Sequence, residues 1–414
     1  MNDAITAAYS AAAPRQTTSV GVLHGSLIGL CIIPFSPLAA WVALIAIAVF
    51  CGRSHQRLRR LLGWGIILCA ALCYASRETT GVANDDFYYT YYPTFLTLVQ
   101  EGFGSFLKRH YEIFGASMGV SVVELGFYTW LYLIGLICGK VSISTVIFLT
   151  TAAIALMYWV WLENYFLPEI TPGRRGMVMA LSLTLFSYGL CSQLSRQMFS
   201  IPFILAAVWE KRTWRAVVWI LAGCFFHLSS LPIGVFGWAV QRWPRRCIVI
   251  LAATLVSILI QPSMLNIFGA TIAFDKFAYY SLGNSTEAIG FDLQYLYVGL
   301  SPAILGGLAI ASRRPLIGYL MLGSSLVYVL LLPLPLASYR ATLFVTGALL
   351  GPGLAAAFDN RMGRHLFAIL MLAVALAMMS RRATLREPGI GMPLWQKYPR
   401  WEFTPFYYLA EIQK

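Results

Sequence analysis

Apolar runs long enough to form helices recur along most of the chain, separated by short polar or proline-containing breaks. A long run at 20–52 is followed by runs at 61–76, 125–139, 143–161, 176–194, 198–209, 216–240, 246–261, 293–311, 316–336, 341–357 and 364–380. This pattern predicts an all-α, polytopic integral membrane protein, because a helix crosses a bilayer with about 20 apolar residues. Several runs are shorter, so we expect about 11–13 membrane segments, including re-entrant or half helices.

Two of the longer runs are predicted to fold as helical hairpins. The run at 20–52 contains Pro34-Phe35-Ser36-Pro37, and at about 1.5 Å per residue it is too long for one span. The run at 216–240 is predicted to turn near His227, which precedes Ser229, Ser230 and Pro232. A turn there brings the basic residues before and after this run to the same side of the membrane.

The composition excludes a soluble protein. Of the 414 residues, 59% are hydrophobic and 11% are charged, whereas soluble domains carry about 25% charged residues. The eight cysteines lie in or beside apolar runs and lack zinc-ligand spacing with histidines, so they predict neither disulfides nor a metal site. The sequence has no P-loop, dinucleotide fingerprint or His-Glu-x-x-His helix, and we expect no cofactor.

Thirty Lys and Arg residues against 17 Asp and Glu residues give a net charge of +13. Many of the cations cluster between apolar runs, at Arg53–Arg60, Lys211–Arg215, Arg242–Arg246, Arg313-Arg314 and Arg361–Arg364. Such clusters hold loops in the cytoplasm, which explains the charge without a nucleic-acid partner. Arg196, His227 and Arg340 then fall on the outer side.

This reasoning predicts one transmembrane domain with two tails. A cytoplasmic tail at 1–19 precedes the domain at 20–380, which has outer loops at 77–124 and 262–292, and an amphipathic tail follows at 381–414. Three apolar runs separate the first loop from Arg196, and three full crossings would place Arg196 inside. We therefore favour a re-entrant segment among the three, the alternative being an extra crossing within 98–123.

Two arginines stand apart from the basic clusters. Arg196 lies between two apolar runs, and Arg340 follows the helix-breaking Pro333-Leu334-Pro335. Each one is either a simple end group that reaches the interface or an anion ligand in an outward cavity. A guanidinium suits a phosphate group, because its planar fork donates two hydrogen bonds at once.

Three residues are candidate bases. Asp86 follows the early span and precedes several tyrosines, Glu124 stands just before an apolar run, and His227 lies at the predicted turn. Each one could deprotonate a sugar hydroxyl. The alternatives are a solvated helix cap for Asp86 and a packed, hydrogen-bonded core residue for His227.

The order and spacing of these residues resemble the EpsG-like branch of the Wzy-type polysaccharide polymerases. The resemblance rests on Arg77, Gly81, Asp86 and Tyr89, then Glu124-x-Gly126-Phe127, Arg196-Gln197, Phe226-His227-x-Ser229, Arg340 and Pro405-Phe406-Tyr407. The chain departs from the family pattern at Met198-Phe199-Ser200, where small or aliphatic residues are usual, and in its Pro-Phe-Tyr tail.

The resemblance implies a GT-C-like, metal-independent glycosyltransferase in the bacterial cytoplasmic (inner) membrane. It would join undecaprenyl-diphosphate-linked oligosaccharide repeats at the outer face, with the lipid bilayer, a chain-length regulator and a flippase as its partners. Breaking the sugar–diphosphate bond leaves negative charge on the leaving group, so the site needs cations directed at it. We assign diphosphate binding to Arg196, Arg340 and Arg77, the base to Asp86, then Glu124 and His227, and sugar binding to Tyr89, Tyr92, Gln197 and Ser229.

Rival functions use similar residues. A lipid-linked saccharide transporter or flippase would bind the same diphosphate, but the two halves of the chain lack matching hydropathy patterns, which many transporters show. A polysaccharide O-acyltransferase would need its histidine to face a cytoplasmic acyl donor, contrary to the predicted side of His227. A lipid A–core (O-antigen) ligase shares the fold type and the arginines and stays open.

Overall fold

The computed structural model describes residues 25–50, 56–75, 86–114, 124–260, 293–331, 335–359 and 362–384. These residues are 89% helical and contain no strand, which confirms the all-α, polytopic fold class. Their α-helices are α1 Pro37–Phe50, α2 Gln56–Ala75, α3 Tyr92–Phe114, α4 Leu125–Cys138, α5 Ile143–Trp161, α6 Arg175–Leu185, α7 Leu190–Gln193, α8 Ser195–Trp209, α9 Thr213–Phe226, α10 Ser230–Arg242, α11 Pro244–Ile260, α12 Leu293–Ala311, α13 Pro315–Leu330, α14 Pro335–Phe344, α15 Leu350–Phe358 and α16 Arg364–Thr384.

Helix length and composition identify the membrane-crossing candidates in this part of the chain. Three helical stretches, Gln56–Ala75, Ile143–Glu169 and Ser338–Phe358, are long and apolar enough to cross a bilayer. Six shorter apolar helices of 10–17 residues accompany them. The mixture of long and short helices is the one that the uneven run lengths predict, and the total number of membrane segments remains a prediction.

Both predicted hairpin turns are present in the structure. Helix over 25–31 gives way to a turn at 32–35, and α1 then begins at Pro37. A Cβ at Gly29 would lie 2.8 Å from the Leu44 side chain, so α1 packs back against the preceding helix. The second turn separates α9 from α10, with extended backbone at His227.

The described helices have a basic end and an opposite end. Helix α8 has Arg196 as its second residue and ends at Trp209, whose indole Nε1 donates to Glu169 Oε1 at 3.1 Å. Near Trp209, Arg242 Nη2 donates to the Lys211 carbonyl, which joins two predicted cytoplasmic clusters. Helix α9 returns from this basic end to His227, so Arg196 and His227 lie together at the other end.

A buried carboxylate joins further cations of the predicted cytoplasmic side. Asp359 has a fully buried side chain, which lies 3.5 Å from Arg174 Nη1 and 3.2 Å from Arg314 Nη2. Arg174 also donates to the Asp359 and Met362 carbonyls. These bonds tie the start of α6 to the ends of α12 and α15, as expected if their termini share one side of the membrane.

Helix α4 is the one of the three runs between Glu124 and Arg196 that stays at one end of the molecule. Glu163, just beyond α5, forms an ion pair with Arg59 near the basic end, so α5 begins at the opposite end. Glu124, just before α4, contacts Arg196, which lies at that same opposite end. Both ends of α4 therefore lie at the same end of the described helices, and the re-entrant interpretation of this run stays a prediction.

Several predicted segments lie partly or wholly outside the described residues. Of the predicted outer loop at 77–124, residues 86–114 and Glu124 are described, and they include the helix α3. The tail at 1–19 and the loop at 262–292 lie outside the described residues, as does the tail beyond Thr384.

Candidate active site

Three of the predicted site residues converge on one carboxylate. Glu124 Oε2 accepts a hydrogen bond from Arg196 Nη1 at 2.8 Å. Glu124 Oε1 lies 2.8 Å from His227 Nδ1 and accepts a bond of 2.9 Å from the Leu228 backbone N–H. We call Glu124, Arg196 and His227 the Glu124 cluster. Its members are 72 and 103 residues apart in the chain, so the fold assembles it.

Helix boundaries place each member of the Glu124 cluster. Glu124 directly precedes α4, Arg196 is the second residue of α8, and His227 directly follows α9. Gly126 permits the close approach of α4 to α9, because a Cβ there would lie 2.7 Å from the Phe225 side chain and 2.9 Å from its carbonyl oxygen. The Glu-x-Gly-Phe sequence thus has a physical reason, since any larger residue at Gly126 would push Glu124 away from His227.

Glu124 is an ionised, acceptor-only group in this environment. It lies outside the helical spans and its residue is 5% exposed. Burial alone would raise the pKa of its carboxyl, but the hydrogen bond and charge of His227, the charge of Arg196 and the Leu228 N–H lower it well below the usual range. Because Glu124 only accepts, His227 keeps a proton on Nδ1 whether the imidazole is neutral or charged, and only the neutral form carries a lone pair on Nε2.

Two nitrogens of the Glu124 cluster remain available to a ligand. Within the described part of the chain, neither Arg196 Nη2 nor His227 Nε2 has a hydrogen-bond partner. The side chains of Arg196 and His227 are 31% and 19% exposed. The cluster therefore presents a fixed cationic donor beside an imidazole whose Nε2 contacts no hydrogen-bond partner among the described residues.

Gln197 connects the Glu124 cluster to the second predicted arginine. Gln197 Nε2 donates to the backbone carbonyl of Arg340 at 2.6 Å, which fixes the start of α8 against α14. Gln197 Oε1 and Ser229 Oγ are buried with no hydrogen-bond partner among the described residues.

The tyrosine that contacts the cluster is Tyr91, rather than the predicted Tyr89 or Tyr92. Its hydroxyl accepts a bond of 3.3 Å from Arg196 Nε, and the guanidinium carbon lies 5.9 Å from its ring centroid. Tyr91 ends a π-helical turn over Asp86–Tyr91, and such turns are frequent at functional sites. The number of tyrosines in this segment indicated a role, but not which ring faces Arg196.

The other predicted residues of this segment are placed differently. Tyr89 is 72% exposed and its ring contacts Tyr88, while the Tyr92 hydroxyl donates to the Val141 carbonyl at 3.0 Å. Their sugar-binding roles remain predictions. Asp86 begins the π-helical turn, and Arg77 lies outside the described residues, so their roles remain predictions too.

The donor set of the site suits an anionic substrate. Among the described residues, no three His, Cys, Asp or Glu side chains converge in a way that could hold a metal ion. The Glu124 cluster instead combines one carboxylate, one guanidinium and one imidazole. This arrangement can bind an anion through Arg196 and accept a proton at His227.

Removing Glu124 should expose its energetic coupling to Arg196. Glu124→Ala leaves a mostly buried guanidinium without its carboxylate, and we expect a loss of about 2 kcal/mol in the free energy of unfolding, less than for a fully buried pair because Arg196 is partly exposed. Adding Arg196→Ala to Glu124→Ala should cost little more. A double-mutant cycle, followed by thermal unfolding in detergent, measures this coupling, and strictly additive losses would contradict it.

The same carboxylate makes stability depend on pH. Its pKa is lower in the folded chain than in the unfolded chain, so its stabilising contribution is complete above the ordinary carboxyl pKa of about 4 and is lost as the pH falls. The Glu124→Ala variant should lack this part of the acid destabilisation.

Comparisons with known proteins identify the family. The model of the EpsG family matches residues 63–393, which is most of the chain and includes every member of the Glu124 cluster. No curated protein and no solved structure matches the chain. The match confirms the resemblance seen in the residue order and is consistent with a glycosyltransferase-like role in polysaccharide synthesis. The chain belongs to the EpsG family.

Proposed function

We propose that this protein is a polysaccharide polymerase that joins undecaprenyl-diphosphate-linked oligosaccharide repeats at the outer face of the cytoplasmic membrane. The observation that carries the proposal is the Glu124 cluster, in which one carboxylate holds a guanidinium and an imidazole side by side. Membership of the EpsG family supports the polymerase role.

In this proposal the arginines bind the diphosphate of the donor substrate, the growing lipid-linked chain. Transfer of the growing chain breaks the bond between its first sugar and the lipid diphosphate, and negative charge develops on the departing phosphate oxygen. Arg196 offers a fixed, partly exposed guanidinium there. In this proposal Arg340, whose backbone carbonyl accepts a hydrogen bond from Gln197, binds the same diphosphate. Fixed cations stabilise such a leaving group most strongly in a site that excludes water. Arg77 supports them in this proposal.

His227 acts on the acceptor. Glu124 holds the Nδ1 proton of the imidazole, which leaves Nε2 as the base, in the manner of a carboxylate that orients a catalytic histidine. Both Glu124 oxygens already accept hydrogen bonds, and its lowered pKa makes it a weak base. We therefore place His227 before Glu124 as the base and treat Glu124 as a positioning residue. Asp86 remains an alternative base.

The proposed reaction balances without a further reactant. The acceptor hydroxyl gives its proton to His227 Nε2 as its oxygen bonds to the anomeric carbon of the donor. The bond from that carbon to the diphosphate oxygen breaks, and its electron pair leaves with undecaprenyl diphosphate. The products are a longer lipid-linked chain and free undecaprenyl diphosphate.

The products that accumulate in cells lacking the protein test this function. A polymerase defect should leave lipid-linked single repeats and no long polysaccharide, while purified protein should convert the isolated repeats into polymer. Full-length polymer that remains unattached would instead indicate a ligase. Repeats confined to the inner leaflet would indicate a flippase, and either result would overturn the proposal.

A further inference from the structure

A polar cavity lies at the basic end, away from the Glu124 cluster. It has a volume of about 470 Å³, and the side chains used below are Gln56, Arg59, Glu163 and Arg175. Helix α8 separates the two places, since Arg196 lies at its start and Trp209 at its end contacts Glu169, next to the cavity residue Pro168. A 15-residue helix spans about 22 Å, so the cavity is not part of the proposed active site.

A buried ion pair forms one wall of this basic-end cavity. Arg59 Nε and Nη2 each donate a bond of 2.7 Å to the Glu163 carboxylate, so both of its oxygens are occupied. The Arg59 residue is 7% exposed. Its Nη1 donates to no other described residue, which leaves two N–H groups on a guanidinium that cannot move without breaking the ion pair.

Arg175 is held in a similar way. Its Nε donates to the Ile170 carbonyl and its Nη2 to the Pro168 carbonyl, both at 3.1 Å. Nη1 again has no hydrogen-bond partner among the described residues. Gln56, at the start of α2, adds an exposed amide to the cavity. The cavity thus offers fixed N–H donors, while its one carboxylate is already paired.

This donor set matches a phosphate group. Two guanidinium groups and an amide offer charge-assisted hydrogen bonds to several oxygens at once, and two arginines against one glutamate leave one positive charge. A sugar would need free acceptors as well as donors, and the Glu163 oxygens are not free.

The surroundings favour a lipid as the source of the phosphate. Trp214 and Trp243 are 62% and 47% exposed, and they lie within a few residues of Arg212 and Arg242. Exposed tryptophans beside arginines are typical of the head-group level of a bilayer. Basic pockets at the cytoplasmic side bind anionic lipid head groups.

We propose that the basic-end cavity binds a phosphate group, presented by the head group of an anionic phospholipid. The purified protein in lipid nanodiscs tests this, with phosphatidylglycerol added to neutral phosphatidylcholine and native mass spectrometry used to count retained lipid. A parallel arm adds inorganic phosphate to discs of neutral lipid and follows protein-phosphate binding. We expect saturable retention of phosphatidylglycerol and none of phosphatidylcholine.

The variants separate this cavity from general surface charge. Arg175→Gln removes one donor group, and we expect at least about tenfold weaker phosphatidylglycerol binding. Gln56→Glu places a negative charge at an exposed position that makes no described hydrogen bond, so it tests the cavity without disturbing packing and should also weaken binding. Arg60→Gln, an exposed arginine on the same helix that does not line the cavity, is the matched control and should bind normally.

The outcomes decide both the site and its ligand. Equal phosphatidylglycerol binding by wild type, Arg175→Gln and Gln56→Glu would overturn the site. Loss of binding in Arg60→Gln to the same extent would also overturn it, because nonspecific charge would then explain the retention. Binding of inorganic phosphate that depends on Arg175, without retention of phosphatidylglycerol, would overturn the lipid as the source.

Discussion

Replacing Arg196 with alanine should abolish long polysaccharide while lipid-linked single repeats accumulate. Arg196 is the charged donor whose Nη2 is open to a ligand, and the loss of one such donor to a leaving oxyanion slows transfer by about 10²–10³-fold. Gel analysis of the polymer and chromatography of the lipid-linked repeats measure the two effects. Normal-length polymer from this variant would remove Arg196 from the mechanism.

Two further variants show whether the Arg196 effect is chemical or structural. Arg196→Lys keeps a cation for Glu124 but loses the planar fork, so we expect a stable protein with short or scarce polymer. Arg212→Ala removes an exposed arginine from the basic end and should leave polymer length unchanged. Immunoblots of membrane fractions establish that all three variants reach the same level.

Replacing His227 should leave substrate binding intact and remove turnover. A general base contributes about 10²–10⁴-fold to a rate, and His227 Nε2 is the nitrogen that Glu124 leaves free. His227→Asn is the preferred variant, because its amide can still donate to Glu124 but cannot act as a base. The turnover rate and the affinity for the lipid-linked repeat, both measured on purified protein, show whether the variant loses catalysis while it keeps substrate binding.

The matched control for His227 is His365, an exposed histidine in α16. His365→Ala should turn over at the wild-type rate. Near-normal turnover by His227→Asn would exclude His227 as the base, and Asp86 would then be the preferred candidate base.

The sequence alone predicted most of the helices, because apolar runs and breaks determine them locally, but it assigned the region of α3 (Tyr92–Phe114) to a loop. The run at 143–161 matches α5, and the run at 293–311 matches α12. It did not predict the interruption between α6 and α7, where residues 186–189 leave the helix without a proline. There the Ser187 backbone N–H donates to the Gly347 carbonyl at 3.0 Å, so a distant contact stabilises the break.

The sequence also selected all three members of the Glu124 cluster, because each one is an isolated polar residue at a helix boundary. It did not predict that they touch, since their contacts join residues more than 70 positions apart. The ranking of the bases changed for the same reason. The sequence presents Glu124 as a candidate base, but in the fold both of its carboxylate oxygens already accept hydrogen bonds.

The roles of Tyr91 and Gly126 depend on contacts between distant parts of the chain. Tyr91 is one of several similar rings, and only the direction of the π-helical turn places its hydroxyl on Arg196. Gly126 contributes by lacking a side chain, which allows α4 and α9 to approach. Neither role can be predicted from the composition or the hydropathy of the sequence.

The binding of undecaprenyl diphosphate to purified protein tests the central claim most directly. Native mass spectrometry measures the affinity of wild type, Arg196→Ala and His227→Asn for this lipid, and so tests whether the Glu124 cluster binds a diphosphate. We expect binding by wild type and by His227→Asn, and at least about tenfold weaker binding by Arg196→Ala. Equal affinity in all three proteins would contradict it.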